Sequence, residues 1–403
     1  MGLSSAMLFG TFPQTADILS AVSTYLINLS VFIAVPVLFI TFASGTASLM
    51  KDRRGRKVAL FSILWAIVTT ILLSLAAVLI YTIRPVSFPV TSTAGSAPGT
   101  LITHASYMLG SSESALYPLN AIWSIASATR FIVPVVIIAW ILGLALKPSA
   151  DIIRPAYTVM NSFSEVMYRI SRTFTVLGFF IIYIASASFF AELYEEKTVI
   201  ASPAYAILTA LAVAIALLFL IPFIYAIFTG FKKNPYKAIY RSLAPVIFSF
   251  VTANTIAALP VSESTARQNL GVQKRISSTT IPLLSIIGKG GSAMVSVIAL
   301  LSLFQATTGE IPSAAVSAAV AAVAAVISFV SSAAIGTEAL VIAVVTLQIL
   351  GINLYGAENA LIAFSPIICG AGACIDTLLS CIGSSVAAAA IETDVEVPYK
   401  DII

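Results

Sequence analysis

Charge is what this chain has least of. Only 9% of its 403 residues are Asp, Glu, Lys or Arg, against about 25% in a soluble chain, so an ordinary water-soluble domain is excluded. Histidine occurs once, as His104 in a stretch rich in Ser, Thr, Gly and Pro; a lone loop imidazole is a solvated group rather than a catalytic base. Cysteine is also scarce. Cys369, Cys374 and Cys381 lie in the last apolar segment, at spacings that fit neither a zinc site nor a disulfide framework, and read as small packing residues. The sequence has no His-Glu-x-x-His, no nucleophile elbow and no paired carboxylates within an apolar run, so an enzyme is not expected. Gly288-Lys289-Gly290-Gly291-Ser292 lacks the full spacing and the preceding strand of a phosphate loop. The net charge of +4 is too small, and sits too much in short loops, to suggest nucleic acid. No basic region precedes the first apolar run, which outlasts a signal peptide, so no cleavable signal is expected.

What the chain has is apolar length. Hydrophobic residues make up 59% of it, in several runs near the roughly 20 residues that cross a bilayer as a helix. The expected class is therefore an all-α integral membrane protein. Ile18 to Leu49 is the first span, with Pro36 inside it, and the cluster Lys51, Arg53, Arg54, Arg56 and Lys57 ends it. Further spans are expected over Val58 to Ile83, Leu119 to Leu146, Tyr157 to Phe190 and Ala204 to Phe228. Within the fourth, Glu165 stands four residues before Arg169, the spacing of a helical ion pair. Of the 21 basic residues, Arg84 and Lys197 fall in outer loops and Arg130, Arg169, Arg172 and Lys289 within spans. All the others fall on the side of the first cluster. The positive-inside rule makes that side cytoplasmic, which puts the N-terminus outside and the C-terminus inside.

The pattern changes from Ala244. Ala244 to Ala258 is apolar but too short to cross, and Pro260 and a polar stretch with Arg267, Lys274 and Arg275 return the chain to the cytoplasmic side. A segment that enters and leaves by one face is a re-entrant hairpin. The run from Ile281 to Phe304 follows, interrupted by Gly288-Lys289-Gly290-Gly291, where glycines costing roughly 1 kcal/mol each relative to alanine break the helix around a lysine. Ile311 to Leu350, interrupted at 331–338, reads as a second hairpin entering from outside, and Leu361 to Ala390 is the last span. Hairpin, span, hairpin, span, with the hairpins entering from opposite faces, is the pattern of an inverted-repeat transporter holding its solute near the midplane.

These segments resemble the dicarboxylate/amino acid:cation symporters, the glutamate transporter family. The likeness runs over nearly the whole chain. Thr252-Ala253-Asn254-Thr255-Ile256-Ala257-Ala258-Leu259-Pro260-Val261, then Asn269-Leu270-Gly271-Val272 and Lys274-Arg275-Ile276-Ser277, are similar to the family's first hairpin and seventh helix. Glu165-Val166-Met167-Tyr168-Arg169-Ile170 resembles the start of its fifth helix, and the region from Leu340 to Gly383-Ser384-Ser385-Val386-Ala387 its second hairpin and eighth helix. By this resemblance the first span corresponds to the family's second helix, and the usual first helix is expected to be absent.

The resemblance implies a glutamate-transporter-like elevator fold, a homotrimer in the cell (inner) membrane and a small-molecule substrate. By it, 1–57 is scaffold, 58–118 a transport-domain helix with an outer loop, and 119–200 scaffold and trimerisation helices. Residues 201–403 form a transport domain with hairpins near 238–268 and 313–352. No cofactor is expected; Na+ or H+ stands as the coupling ion. The ligand positions depart from the family. Its serine-rich hairpin tip is represented by Asn254-Thr255-Ile256, and its Asn-Met-Asp-Gly-Thr sodium motif falls on Gly288, Lys289, Gly290, Gly291 and Ser292. Its amino-group-binding aspartate aligns with Ala373, its substrate-binding arginine with Asp376, its next threonine with Thr377, and its later asparagine and sodium-binding aspartate with Ser380 and Ser384.

Asn254, Thr255, Asp376, Thr377 and Ser380 are therefore the candidate substrate residues, Lys289, Gly288, Ser292 and Ser384 the candidate ion-coupling or tethered-cation residues, and Gly336, Thr337 and Glu338 a candidate gate. Three readings of Lys289 stand side by side: a tethered cation that replaces sodium, a proton carrier, or half of a purely structural pair with Asp376. Thr377, Ser380 and Ser384 share one helix face, as solute ligands or as packing hydroxyls. The functional expectation is a secondary transporter of a small polar organic solute, an amino acid first. A channel or non-transporting scaffold of the same fold is the alternative.

Overall fold

The computed structural model describes residues 13–51, 55–88, 132–146, 152–195, 203–331, 336–352 and 360–391. Regular structure among them is wholly helical. The elements are α1 (Pro13–Lys51), α2 (Gly55–Ile83), α3 (Ile132–Ala145), α4 (Arg154–Glu195), α5 (Ala204–Ile215), α6 (Ile221–Phe228) and α7 (Pro235–Arg241). They continue with α8 (Leu243–Thr252), α9 (Leu259–Gln268), α10 (Lys274–Ile287), α11 (Gly290–Thr308), α12 (Ala314–Ser328), α13 (Glu338–Leu350), α14 (Ala360–Ala363) and α15 (Ser365–Ala389). Among the described residues, six helices are long and apolar enough to cross a membrane, counting α5–α6 and α10–α11 as one each. This is the build of a multi-pass membrane protein.

Burial sorts the helices. Lys274–Thr308 and Ser365–Ala389 are buried over 89% and 94% of their most apolar windows, whereas the other four spans reach 39–44%. The broken helix and α15 are thus the centre, and the others give their apolar faces to lipid. Around that centre α2, α8, α12 and α13 pack on α11 or α15, while α1 packs on α3, α4 and α10. Small residues set the closest approaches. A Cβ on Gly383 would sit 2.5 Å from Trp65 Cδ1, and Trp65 Nε1 donates to Leu379 O at 3.0 Å, fixing α2 against α15.

Several boundaries differ from expectation. The helix expected from Ile281 starts at Lys274, because the polar residues Ser277, Ser278, Thr279 and Thr280 are buried against protein. The fifth span contains a π-helical turn, Ala216–Leu220, just before Pro222. Proline cannot donate to the carbonyl four residues back, and that carbonyl, Leu218 O, accepts instead from Tyr236 Oη at 3.0 Å. The Glu165–Arg169 pair is not made. Glu165 faces Lys274 Nζ at 3.1 Å and Arg267 Nη1 at 3.7 Å, because that face of α4 lies against the end of α9 and the start of α10 while Arg169 is exposed. His104, Arg130, Lys147, Lys197, the 119–131 part of the third span, most of the outer loop, the tip at 332–335 and both termini lie outside the described residues.

Candidate functional site

The site is built at the break. α10 stops at Ile287, where Gly288 N donates to Leu284 O at 2.8 Å, and Gly288 and Lys289 leave helical geometry with φ/ψ of −89°/61° and −100°/34°. α11 restarts at Gly290 inside the protein, so its first amide groups need acceptors that water cannot supply. Asp376 of α15 supplies them. Its Oδ1 accepts from Gly291 N at 2.6 Å and Ser292 N at 3.2 Å, and its Oδ2 accepts from Ser292 Oγ at 2.6 Å. A carboxylate at a helix N-terminus also opposes the helix dipole. The contact requires glycine at 291, since a Cβ there would lie 2.7 Å from Gly372 O and closer still to Ile375 Cβ.

Lys289 therefore does not pair with Asp376, which is turned toward the start of α11. The lysine side chain is fully buried, and its Nζ lies 3.1 Å from Glu338 Oε1 and donates to Thr255 Oγ1. Thr255 Oγ1 in turn donates to Glu338 Oε1 at 3.2 Å. Glu338, 2% exposed, is the first residue of α13. One ion pair and one hydroxyl thus tie together the turn between α8 and α9, the break between α10 and α11, and the start of α13.

The two turns are shaped to meet there. Ala253 ends α8 in the left-handed region at φ 49°, and Asn254 Oδ1 then accepts from Ile256 N at 2.9 Å and Ala257 N at 3.0 Å. Asn254 thus holds the turn that carries Thr255. Asn254→Ala is expected to destabilise the purified protein by about 1 kcal/mol in a thermal unfolding assay, the usual net worth of a lost side-chain hydrogen bond. Gly336, at φ 78°, faces Asn254 from the other turn, and Thr337 stands at the N-cap position of α13. Beside these turns lies a pocket of about 220 Å³, lined by Thr252, Ala253, Gly336 and Thr337 and, across from them, by Ser23 of α1 and Ser188 of α4.

The remaining predicted residues divide. Ser380 Oγ donates to Asp376 O of its own helix at 3.0 Å, and Ser384 Oγ lies 2.7 Å from Thr280 Oγ1 of α10. Thr377, 2% exposed, has an Oγ1 with no partner. Ser296, not singled out from the sequence, donates to Ala339 O at 2.6 Å and fastens α11 to α13. A second buried charge cluster was also passed over. Glu263, wholly buried, receives Arg267 Nε and Nη2 on one oxygen at 3.0 and 2.7 Å, with Ser277 and Ser278 Oγ each at 3.2 Å. The i,i+4 spacing of Glu263 and Arg267 was the signal available. Among the described residues no three His, Cys, Asp or Glu gather to hold a metal ion.

Several membrane-length apolar helices, with a buried ionic centre at a break in the most central of them, are the build of a multi-pass membrane protein. The chain belongs to the sodium:dicarboxylate symporter family, whose model matches residues 1–393. It is similar to the neutral amino acid transporter B(0) of Oryctolagus cuniculus, 28% identical over 176 residues, which cover 43% of this chain and 32% of that protein. The neutral amino acid transporter A of Homo sapiens is 32% identical over 91 residues, 23% of this chain and 17% of that protein. The chain thus matches about a third or less of the length of these relatives.

Proposed function

We infer that this chain is a secondary transporter of a small polar organic solute, with a neutral amino acid first, and that Lys289 is a resident cation where family members take up sodium. The observation that carries the reading is the buried Lys289–Glu338–Thr255 centre at the meeting of two turns and a broken helix. An ammonium held there without exposure supplies the positive charge that a coupling ion otherwise brings, so sodium dependence is weak or absent. Membership of the family and the names of the relatives support transport and the class of solute. The α8–α9 and α12–α13 pairs serve as the two re-entrant hairpins. Together with α2, α5–α7, α10, α11 and α15 they form the moving body of an elevator, and α1, α3 and α4 the scaffold of a homotrimer.

Uptake into proteoliposomes tests this. Saturable, stereoselective flux with trans-stimulation is expected, while conductance without saturation would establish the channel alternative. The elevator reading has its own check in Glu165, which joins α4 to Lys274 and Arg267. Because Glu165 is 42% exposed, Glu165→Gln is expected to change stability by less than about 1 kcal/mol. It removes a contact that has to break when α9 and α10 move past α4, so initial uptake rates should rise, by up to about fivefold. An unchanged rate would argue that this interface does not slide.

A further inference from the structure

The Lys289–Glu338 pair has the charges of a ligand without the ligand. We propose that it is the resting form of a zwitterion site, in which a bound amino acid separates the pair, its carboxylate going to Lys289 and its ammonium to Glu338. This rests on the transporter reading above, and it names the solute class and the two residues that read it.

Both charges are buried, Lys289 fully and Glu338 to 2% exposure, and each is the other's neutralising partner. A buried charge that loses its partner is far more destabilising than the pair itself is stabilising. Any solute that opens the pair must therefore replace both halves. A monocarboxylate satisfies Lys289 and strands Glu338; an amine does the reverse. A zwitterion satisfies both at once and leaves the net charge of the site as it was.

The geometry allows the pair to part. Glu338 heads α13, two residues after Gly336, whose φ of 78° is open to glycine and strained for other residues. Lys289 sits at a backbone break on a long flexible side chain, and Thr255 stands between the two charges with a hydroxyl that bonds to either. The pocket of about 220 Å³ borders the same turns at Gly336, Thr337 and Ala253, and it is of the size that a small amino acid needs rather than a large ligand. Asp376 does not compete for the ammonium, because both its oxygens are occupied at the start of α11.

The pair also explains how an empty carrier can return. With no solute bound, Glu338 closes on Lys289 and leaves no exposed or unpaired charge at the midplane, so no counter-ion has to be taken along.

The test uses the purified full chain and three probes of similar size: L-alanine, propionate and ethylamine. In thermal-shift titrations the wild-type protein should be stabilised by L-alanine alone. In Glu338→Gln the preference should turn over, with propionate binding at least tenfold more tightly than to wild type and alanine less tightly. Lys289→Met should turn over in the opposite direction, toward ethylamine. Should either variant fold poorly, its matching single-charge probe should raise its yield and Tm, which keeps the outcome readable. Unaltered alanine preference in Glu338→Gln, together with saturable alanine flux, would overturn the pair-exchange site while leaving the transporter reading intact. Turnover of preference in both variants without any flux would do the opposite.

Discussion

Lys289→Met should lower the folding stability of the protein by about 3–5 kcal/mol, the cost of stripping a buried charge of its partner. The loss does not come from the lysine's own contacts. It comes from Glu338, which is left at 2% exposure without its partner and with only Thr255 to donate to it. The double variant Lys289→Met/Glu338→Gln should therefore recover most of the loss, since two neutral groups in a buried site cost far less than one charge. A double-mutant cycle on thermal unfolding in detergent isolates that coupling. Equal and additive losses would mean that the two side chains stabilise the fold independently. The single variant carries a second expectation. With the resident ammonium removed and the carboxylate kept, added sodium should raise Tm where choline does not, and uptake should acquire a sodium dependence. An active, well-folded Lys289→Met with unchanged coupling would count against the tethered cation.

The second large effect is expected at Asp376, and its pattern decides what that residue is for. Asp376→Ala leaves Gly291 N, Ser292 N and Ser292 Oγ buried without their acceptor. Each orphaned donor costs about 1–3 kcal/mol, so a total loss of at least about 3 kcal/mol is expected. Asp376→Asn keeps an acceptor for the two amides and offers an N–H to the serine hydroxyl, so it should cost about 1 kcal/mol and leave solute binding close to wild type. A residue whose negative charge gripped the solute would behave in the reverse way: Asn would abolish binding with Tm unmoved. Unfolding curves and L-alanine titrations of the two variants separate these cases.

The centre of the fold was legible in the sequence and the wiring of its charges was not. Gly288, Gly290 and Gly291 marked the break because glycine is costly in a helix wherever it occurs, a property of the local chain. Partner choice is different, since it depends on how three separated segments pack. Lys289 could be matched on composition with Asp376, the acidic residue on the last span, yet the start of α11 presents Gly291 and Ser292 to that carboxylate and leaves the lysine to Glu338. The same reason displaced Glu165, whose helical neighbour Arg169 loses to cations brought by α9 and α10. The π-helical turn before Pro222 was hidden because its compensating donor, Tyr236, lies beyond the span it serves.

The order of the chain has a consequence for how the centre is made. Lys289 precedes Glu338 by 49 residues, and Gly291 precedes Asp376 by 85. At synthesis rates of about 5–20 residues per second, an ammonium and an uncapped helix start wait several seconds before their partners exist. During that interval the segment from Lys274 to Thr308 carries a cost in lipid that nothing yet offsets. Its stable insertion waits on the segments that bring Glu338 and Asp376, so the ionic centre, although Lys289 is made well before either partner, is among the last parts of the protein to form.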